Sequence, residues 1–344
     1  MSVKRILVGR PLAVHEEEHQ RLHKRIALPV FASDAISSTA YATDEILLVL
    51  LAGAGIGAAA WNYLTPLAIV VCILLTIVVV SYRQTIYAYP NGGGSYIVSK
   101  DNLGTMPALV AGASLLVDYI LTVAVSISAG VLAITSAVPA WSPYRVEICL
   151  GMVLLMMLAN LRGLKESGAL FAPPTYLYIG SLMLLIVIGL YRIFVQDLGP
   201  IDVDALVANG DLSPEALELS QGTAALSLLM LLRAFSSGAV ALSGVEAVSN
   251  GVPAFRKPEP RNAAMTIAIM GTILGATFLG VSILATHLKP YRGELDPTGI
   301  ALMAQHVYGG TGVLFWITQI ATFAILILAA NTAYADFPRL ASII

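Results

Sequence analysis

The sequence predicts an all-α membrane protein whose helices are interrupted where its function resides. Three observations carry that prediction. Of the 344 residues, 57% are hydrophobic and only 12% charged, with a mean hydropathy of +0.81, whereas a soluble domain carries about 25% charged residues. The apolar residues gather into eight runs, at about 28–53, 64–88, 107–136, 145–161, 168–194, 223–253, 262–286 and 312–337, near the ~20 residues that a helical crossing needs. Two of these runs, the first and the sixth, hold carboxylates, Ser, Thr and Gly where hydrocarbon and helix both disfavour them.

Taken in order, residues 1–25 are polar and charged, without the apolar core of a cleavable signal peptide. They include "HEEEH" at 15–19, with His23 four residues on. The string matches the zinc-protease pattern H-E-x-x-H, but in a run of charges it reads as a solvated helix beside the membrane. Run one contains "SDAISSTAYATDEI", with Asp34, Asp44 and Glu45. Run two holds Cys72 and run four Cys149, each expected as a small buried hydrophobe. Between runs two and three, "YPNGGGSY" at 89–96 looks like a phosphate cradle but lacks the Walker lysine, so it is expected as a flexible turn. Run three holds Asp118. An acidic loop with Asp197, Asp202, Asp204, Asp211, Glu215 and Glu218 follows run five. Run six, "LRAFSSGAVALSGVEAVSNGV", is expected to break at Gly238, Ser243 and Gly244. Run eight leads to the last residues, "FPRLASII".

Of the 19 Lys and Arg, fourteen fall on the side of the N-terminus and four on the other, with Arg233 inside a run. The positive-inside rule therefore makes the N-terminus cytoplasmic and the acidic loop external. Irregular backbone at membrane depth is tolerated only where it is buried or lines a cavity. Runs one and six are five apart, so they open two successive five-helix units, and an odd number inverts the second. Paired broken helices in such units mark a transporter's binding site. The expected organisation is 1–25 as a cytoplasmic segment, 26–222 as the first five-helix repeat with an external loop at about 195–222, and 223–344 as helices six to eight of a second repeat. That incomplete repeat reads as part of a longer protein.

Asp34 lies about half a bilayer from Arg25 at 1.5 Å per residue, and an ionised carboxylate there costs at least ~2.5 kcal/mol. Asp118, Thr122 and Ser126 share one helix face, with Tyr119 adjacent. Glu246 follows the break in run six, with Ser243 three residues earlier, expected on the same face. Three carboxylates ringed by the hydroxyls of Tyr41, Thr122, Ser126 and Ser243 form a hard-oxygen set suited to a hard cation rather than a soft transition metal. A desolvated carboxylate that loses its cation tends to take a proton instead. Glu246, with the sparsest hydroxyl company, is the expected proton carrier.

"YPNGGGSYIVSKDNLG", "NLRGLKESG" and "ALSGVEAVSNGVPAFRKPEPRNA" together resemble the amino acid–polyamine–organocation transporter superfamily, along essentially the whole chain. Within it, "SDAISSTAYATDEI" and "VDYILTVAVSISAG" look like the bacterial KimA-type potassium importers. The resemblance implies a LeuT-like inverted-repeat fold with broken helices one and six, here truncated after about eight. It implies high-affinity, proton-coupled potassium import by alternating access in a bacterial plasma membrane. Potassium would be held by Asp34, Asp118, Thr122, Ser126 and Ser243, in a site that includes Tyr41, Tyr119 and Glu246. Relatives often have Thr where Ser243 stands. Potassium and protons would be cargo, with no cofactor. The complete protein would be a homodimer through a C-terminal cytosolic domain, which can carry cyclic-dinucleotide regulation. The remaining readings are a permease for amino acids, cationic amino acids or polyamines, and a channel or sensor, although the TVGYG filter loop is missing. An enzyme has only "HEEEH" behind it, and nothing in the charge points to a nucleic-acid partner.

Overall fold

The computed structural model describes residues 22, 24–92, 94–161, 168–293 and 296–343. "HEEEH", His23, Gly93 and the basic loop residues Arg162 and Lys165 lie outside them. Among the described residues the fold is helical, with one isolated bridge between Leu22 and Phe255 and no named strand. Eight segments are long and apolar enough to cross a membrane: Ile26–Gly53, Gly57–Ala88, Thr105–Ala137, Pro139–Leu161, Phe171–Val195, Leu228–Asn250, Glu259–Leu288 and Val313–Pro338. They fall where the apolar runs place them, and the chain is a multi-pass membrane protein.

Span one is α1 (Lys24–Ser37), a 3-10 turn at Ser38–Ala40, α2 (Ala42–Leu48) and a π-helical turn at Val49–Gly53. The cluster Ser37, Ser38 and Thr39 explains how α1 ends inside the membrane. Their hydroxyls donate to the carbonyls of Asp34, Ala35 and Ile36 at 2.7, 2.6 and 2.7 Å. Backbone acceptors left over where the α pattern stops are thereby satisfied without water.

Spans two, three, four and five are α3 (Ala60–Ala88), α5 (Thr105–Ala137), α6 (Arg145–Leu161) and α7 (Gly168–Val195); the short α4 (Ser95–Leu103) precedes α5. The acidic loop after span five folds into α8 (Val203–Ala208) and α9 (Pro214–Ser220), the first capped by Asp202, whose carboxylate accepts from the Ala205 amide at 3.1 Å. Cys72 and Cys149 are free and only partly buried; each packs against the edge of an apolar cluster, and Cys72 Sγ donates to the Gly275 carbonyl at 3.8 Å.

Span six is α10 (Leu228–Gly238), a 3-10 turn at Ala239–Leu242, and a single helical turn, α11 (Ala247–Asn250). The residues of the break divide their roles differently from the sequence expectation. Gly238 is the last α-helical residue, with φ −66°. A Cβ there would lie 2.6 Å from Ile46 Cδ1, so its small size lets α10 approach α2. Gly244 makes the turn itself, at φ +78°, a region that L-residues with a Cβ avoid. Ser243 takes ψ 142°, so it and Glu246 are not on one helical face: the helix expected there is absent, and the i, i+3 argument for that pair fails.

The remaining helices are α12 (Glu259–Leu288), α13 (Gly299–Tyr308) and α14 (Val313–Ile343). α12 runs along α3, and α14 along α5 and α1. α13 is too short to cross a bilayer and is largely buried. Its N-terminus is held by Thr298, which accepts from the Ala301 amide at 3.2 Å, and by Asp44 of α2, which accepts from the Gly299 amide at 3.0 Å. Asp296 ties this connection to the acidic loop, accepting from the Ser213 amide and hydroxyl, both at 2.8 Å.

Candidate functional site

The interruptions of spans one and six touch. Ser38 Oγ donates to the Ala241 carbonyl at 3.2 Å. A Cβ on Gly244 would lie 2.7 Å from Asp34 Oδ2, so the glycine turn is pressed against the Asp34 carboxyl group. Asp34 itself, in the last turn of α1, is 6% exposed. It lies within electrostatic reach of Glu246, Asp118 and Asp336. Glu246 lies within reach of Asp118 and Asp336 as well.

The hydroxyl groups come from three elements. Ser243 lies beside the Asp118 carboxylate, which the non-helical backbone at 243–244 allows. On α5, Tyr119, Thr122 and Ser126 form a buried stripe. Ser126 Oγ is fully buried and has no hydrogen-bond partner among the described residues, whereas buried hydroxyls are ordinarily satisfied. Glu246 caps α11, its backbone carbonyl accepting from the Ser249 and Asn250 amides at 2.9 and 3.0 Å. Thr39 hydrogen-bonds the fully buried Tyr178 hydroxyl of α7 at 2.8 Å, bracing the break from a third side. Among the described residues no three His, Cys, Asp or Glu side chains gather as a metal cluster; the carboxylates are interspersed with hydroxyls.

Two cavities flank this group on opposite faces. The larger, about 400 Å³, is lined by Tyr41, Asp44 and Glu45, by the C-terminal half of α5 and by Arg292. The smaller, about 220 Å³, is lined by Phe31, Ser95, Tyr119, Asn250 and Asp336. The first gathers the ends of spans one and three that lie away from the N-terminus, and the second gathers the ends nearer it. Tyr41 lines one cavity and Tyr119 the other; both rings lie within electrostatic reach of Asp34 and Asp118.

The described part of the loop "YPNGGGSY", expected as a flexible turn, packs against α11. A Cβ on Gly94 would lie 2.0 Å from Asn250 Oδ1. Its glycines let the loop close on α11, and the loop forms a wall of the smaller cavity.

Sequence reasoning missed two features. Asp44 forms a salt bridge with Arg292 at 3.2 Å, both side chains nearly buried. The partner lies outside every span and 248 residues away, so no local pattern announces it. Asp336 was within reach of the sequence: it is a carboxylate inside the eighth apolar run, as Asp34 is inside the first.

The family model described as amino acid permease matches residues 27–342. The chain belongs to that family. This permease chain is 48% identical over 346 residues to the potassium transporter KimA of Bacillus subtilis (strain 168), an alignment that covers 99% of the chain and 53% of the relative. The permease chain therefore spans about half the length of the curated relative it matches. Permeases move their substrate unchanged, so the chemistry to be explained is binding and passage rather than an enzymatic reaction.

Proposed function

We propose that this chain is the substrate-binding part of a proton-coupled potassium importer working by alternating access. The observation that carries the reading is the meeting of two interrupted spans on Asp34, with Asp118 and Glu246 in its field and a cavity on either face. A carboxylate pressed into the break suits a cation and would repel the carboxylate of an amino-acid substrate. Likeness to a potassium transporter supports the choice of cation.

In this reading residues 26–222 are the first five-helix repeat of a LeuT-like fold, and 223–344 the first three helices of its inverted partner. Asp34 and Asp118 supply charge to a dehydrated potassium ion. Thr122, Ser126 and Ser243 supply hydroxyl oxygens, and Tyr41 and Tyr119 close the site from either side. Ser126, buried with an unpartnered oxygen, fits such a role, since a cation gives that oxygen a partner. Glu246 takes and releases the coupled proton. The complete protein sits in a bacterial plasma membrane with its N-terminus in the cytoplasm and pairs as a homodimer through its C-terminal remainder. No resident cofactor is needed, because potassium and protons are the cargo.

The test is potassium uptake by the complete protein in liposomes under an imposed pH gradient. Acidifying the outside should accelerate uptake by the wild type, and Asp34→Asn should abolish it. Uptake indifferent to the gradient, or unaffected by the substitution, overturns the proposal. The family's description as amino acid permeases keeps one other cargo class in view: competition by lysine, arginine or a polyamine would reassign the site to a larger organic cation.

A further inference from the structure

We propose that Asp336 is the transfer residue through which the cation passes between the central site and the cavity on the N-terminal side. The proposal rests on the transport reading above and adds a residue to it.

Register places the side chain. Thr332 of α14 hydrogen-bonds Ser33 of α1, oxygen to oxygen, at 3.4 Å. This contact pins the level of α14 against the residue preceding Asp34. Asp336 is four residues further along α14, one helical turn or about 6 Å towards the N-terminal face. There it lines the 220 Å³ cavity, which has room for several waters. Asp336 also lies within electrostatic reach of Asp34, Glu246 and Tyr119. It is thus one step from the central carboxylates and already at the wall of a cavity large enough for a partly hydrated ion.

The chemistry follows from desolvation. A cation leaving the central site loses carboxylate charge before it has regained its water shell. A further carboxylate one turn away, beside waters, supplies charge over that interval and lowers the barrier in both directions. From the N-terminal side the same charge draws cations into the cavity. The cavity at Tyr41, on the opposite face, does not include Asp336. The effect of Asp336 must therefore be sided, which neither a ligand of the central site nor a residue of purely structural use would produce.

The experiment is potassium exchange by the complete protein, reconstituted in one orientation, with potassium varied on each face in turn. Asp336→Asn should raise the half-saturating potassium concentration on the N-terminal face about tenfold, as expected for losing one partly screened charge, and leave the opposite face within about twofold. Asp336→Glu should restore the wild-type value. Equal weakening on both faces, or no change on either, overturns the assignment while the transport reading stands. No exchange by the wild type overturns both. If the Asn variant does not insert, Asp336→Cys in a protein with Cys72 and Cys149 replaced provides a second measurement. A sulfonate-bearing thiol reagent applied from the N-terminal face should then speed exchange and an ammonium-bearing one slow it. Equal effects of the two reagents overturn the assignment.

Discussion

A carboxylate in hydrocarbon is expensive enough that its neighbours disclose its use. Around Asp34 they are a glycine turn, three further acids and a set of hydroxyls, so charge and dipole contributions can be separated. Asp34→Asn and Asp118→Asn should each weaken potassium binding by roughly a hundredfold, taking about 3 kcal/mol for a contact to a charged group. Thr122→Ala and Ser243→Ala should each weaken it by only about fivefold, the ~1 kcal/mol of a neutral contact. Equilibrium binding of radioactive potassium or rubidium to the purified complete protein measures both sets, and equal losses would contradict the division. Glu246→Gln, which mimics a protonated side chain, should retain potassium binding yet lose uptake driven by a pH gradient. Lost binding with intact coupling would make Glu246 an ion ligand. Gly244→Ala confronts both φ +78° and the Asp34 carboxyl group. Its backbone term alone is about 1–2 kcal/mol, so a fall in melting temperature and in potassium affinity is expected together.

At the scale of elements, Ser37, Ser38 and Thr39 are first of all a way of ending a helix in the membrane. Their hydroxyls are committed to the α1 carbonyls, and only Ser38 and Thr39 also reach other segments. The polar character of run one was legible in the sequence, but not this use of it. α13 is the other element that sequence periodicity left unseen, because it is too short for a span and its burial depends on neighbours far along the chain. It is anchored to α2 through Asp44, which also pairs with Arg292. Arg292→Ala leaves a nearly buried carboxylate without its counter-charge, at a cost of about 3–5 kcal/mol. Thermal unfolding in detergent should show that loss, with a smaller one for Arg292→Lys. An unchanged melting temperature would mean that water already screens the pair.

At the scale of the whole molecule, the chain covers 53% of a potassium transporter to which it is 48% identical. Expressed alone, these 344 residues are expected to give no potassium uptake in liposomes, since the proposed second repeat contributes only three helices to enclose the site; robust uptake would contradict the repeat organisation. Hydropathy by itself determined the eight spans and the membrane class, because transfer into hydrocarbon is a property of each segment on its own. Charge inside apolar runs likewise singled out Asp34, Asp118 and Glu246. Tertiary structure alone decided that Gly244 turns against Asp34, that Ser243 leaves the helix to reach Asp118, that Asp44 finds Arg292 and that Asp336 stands one turn from the central group. Each of these depends on the register between segments distant in sequence, and register is set by packing, which no local pattern of residues encodes.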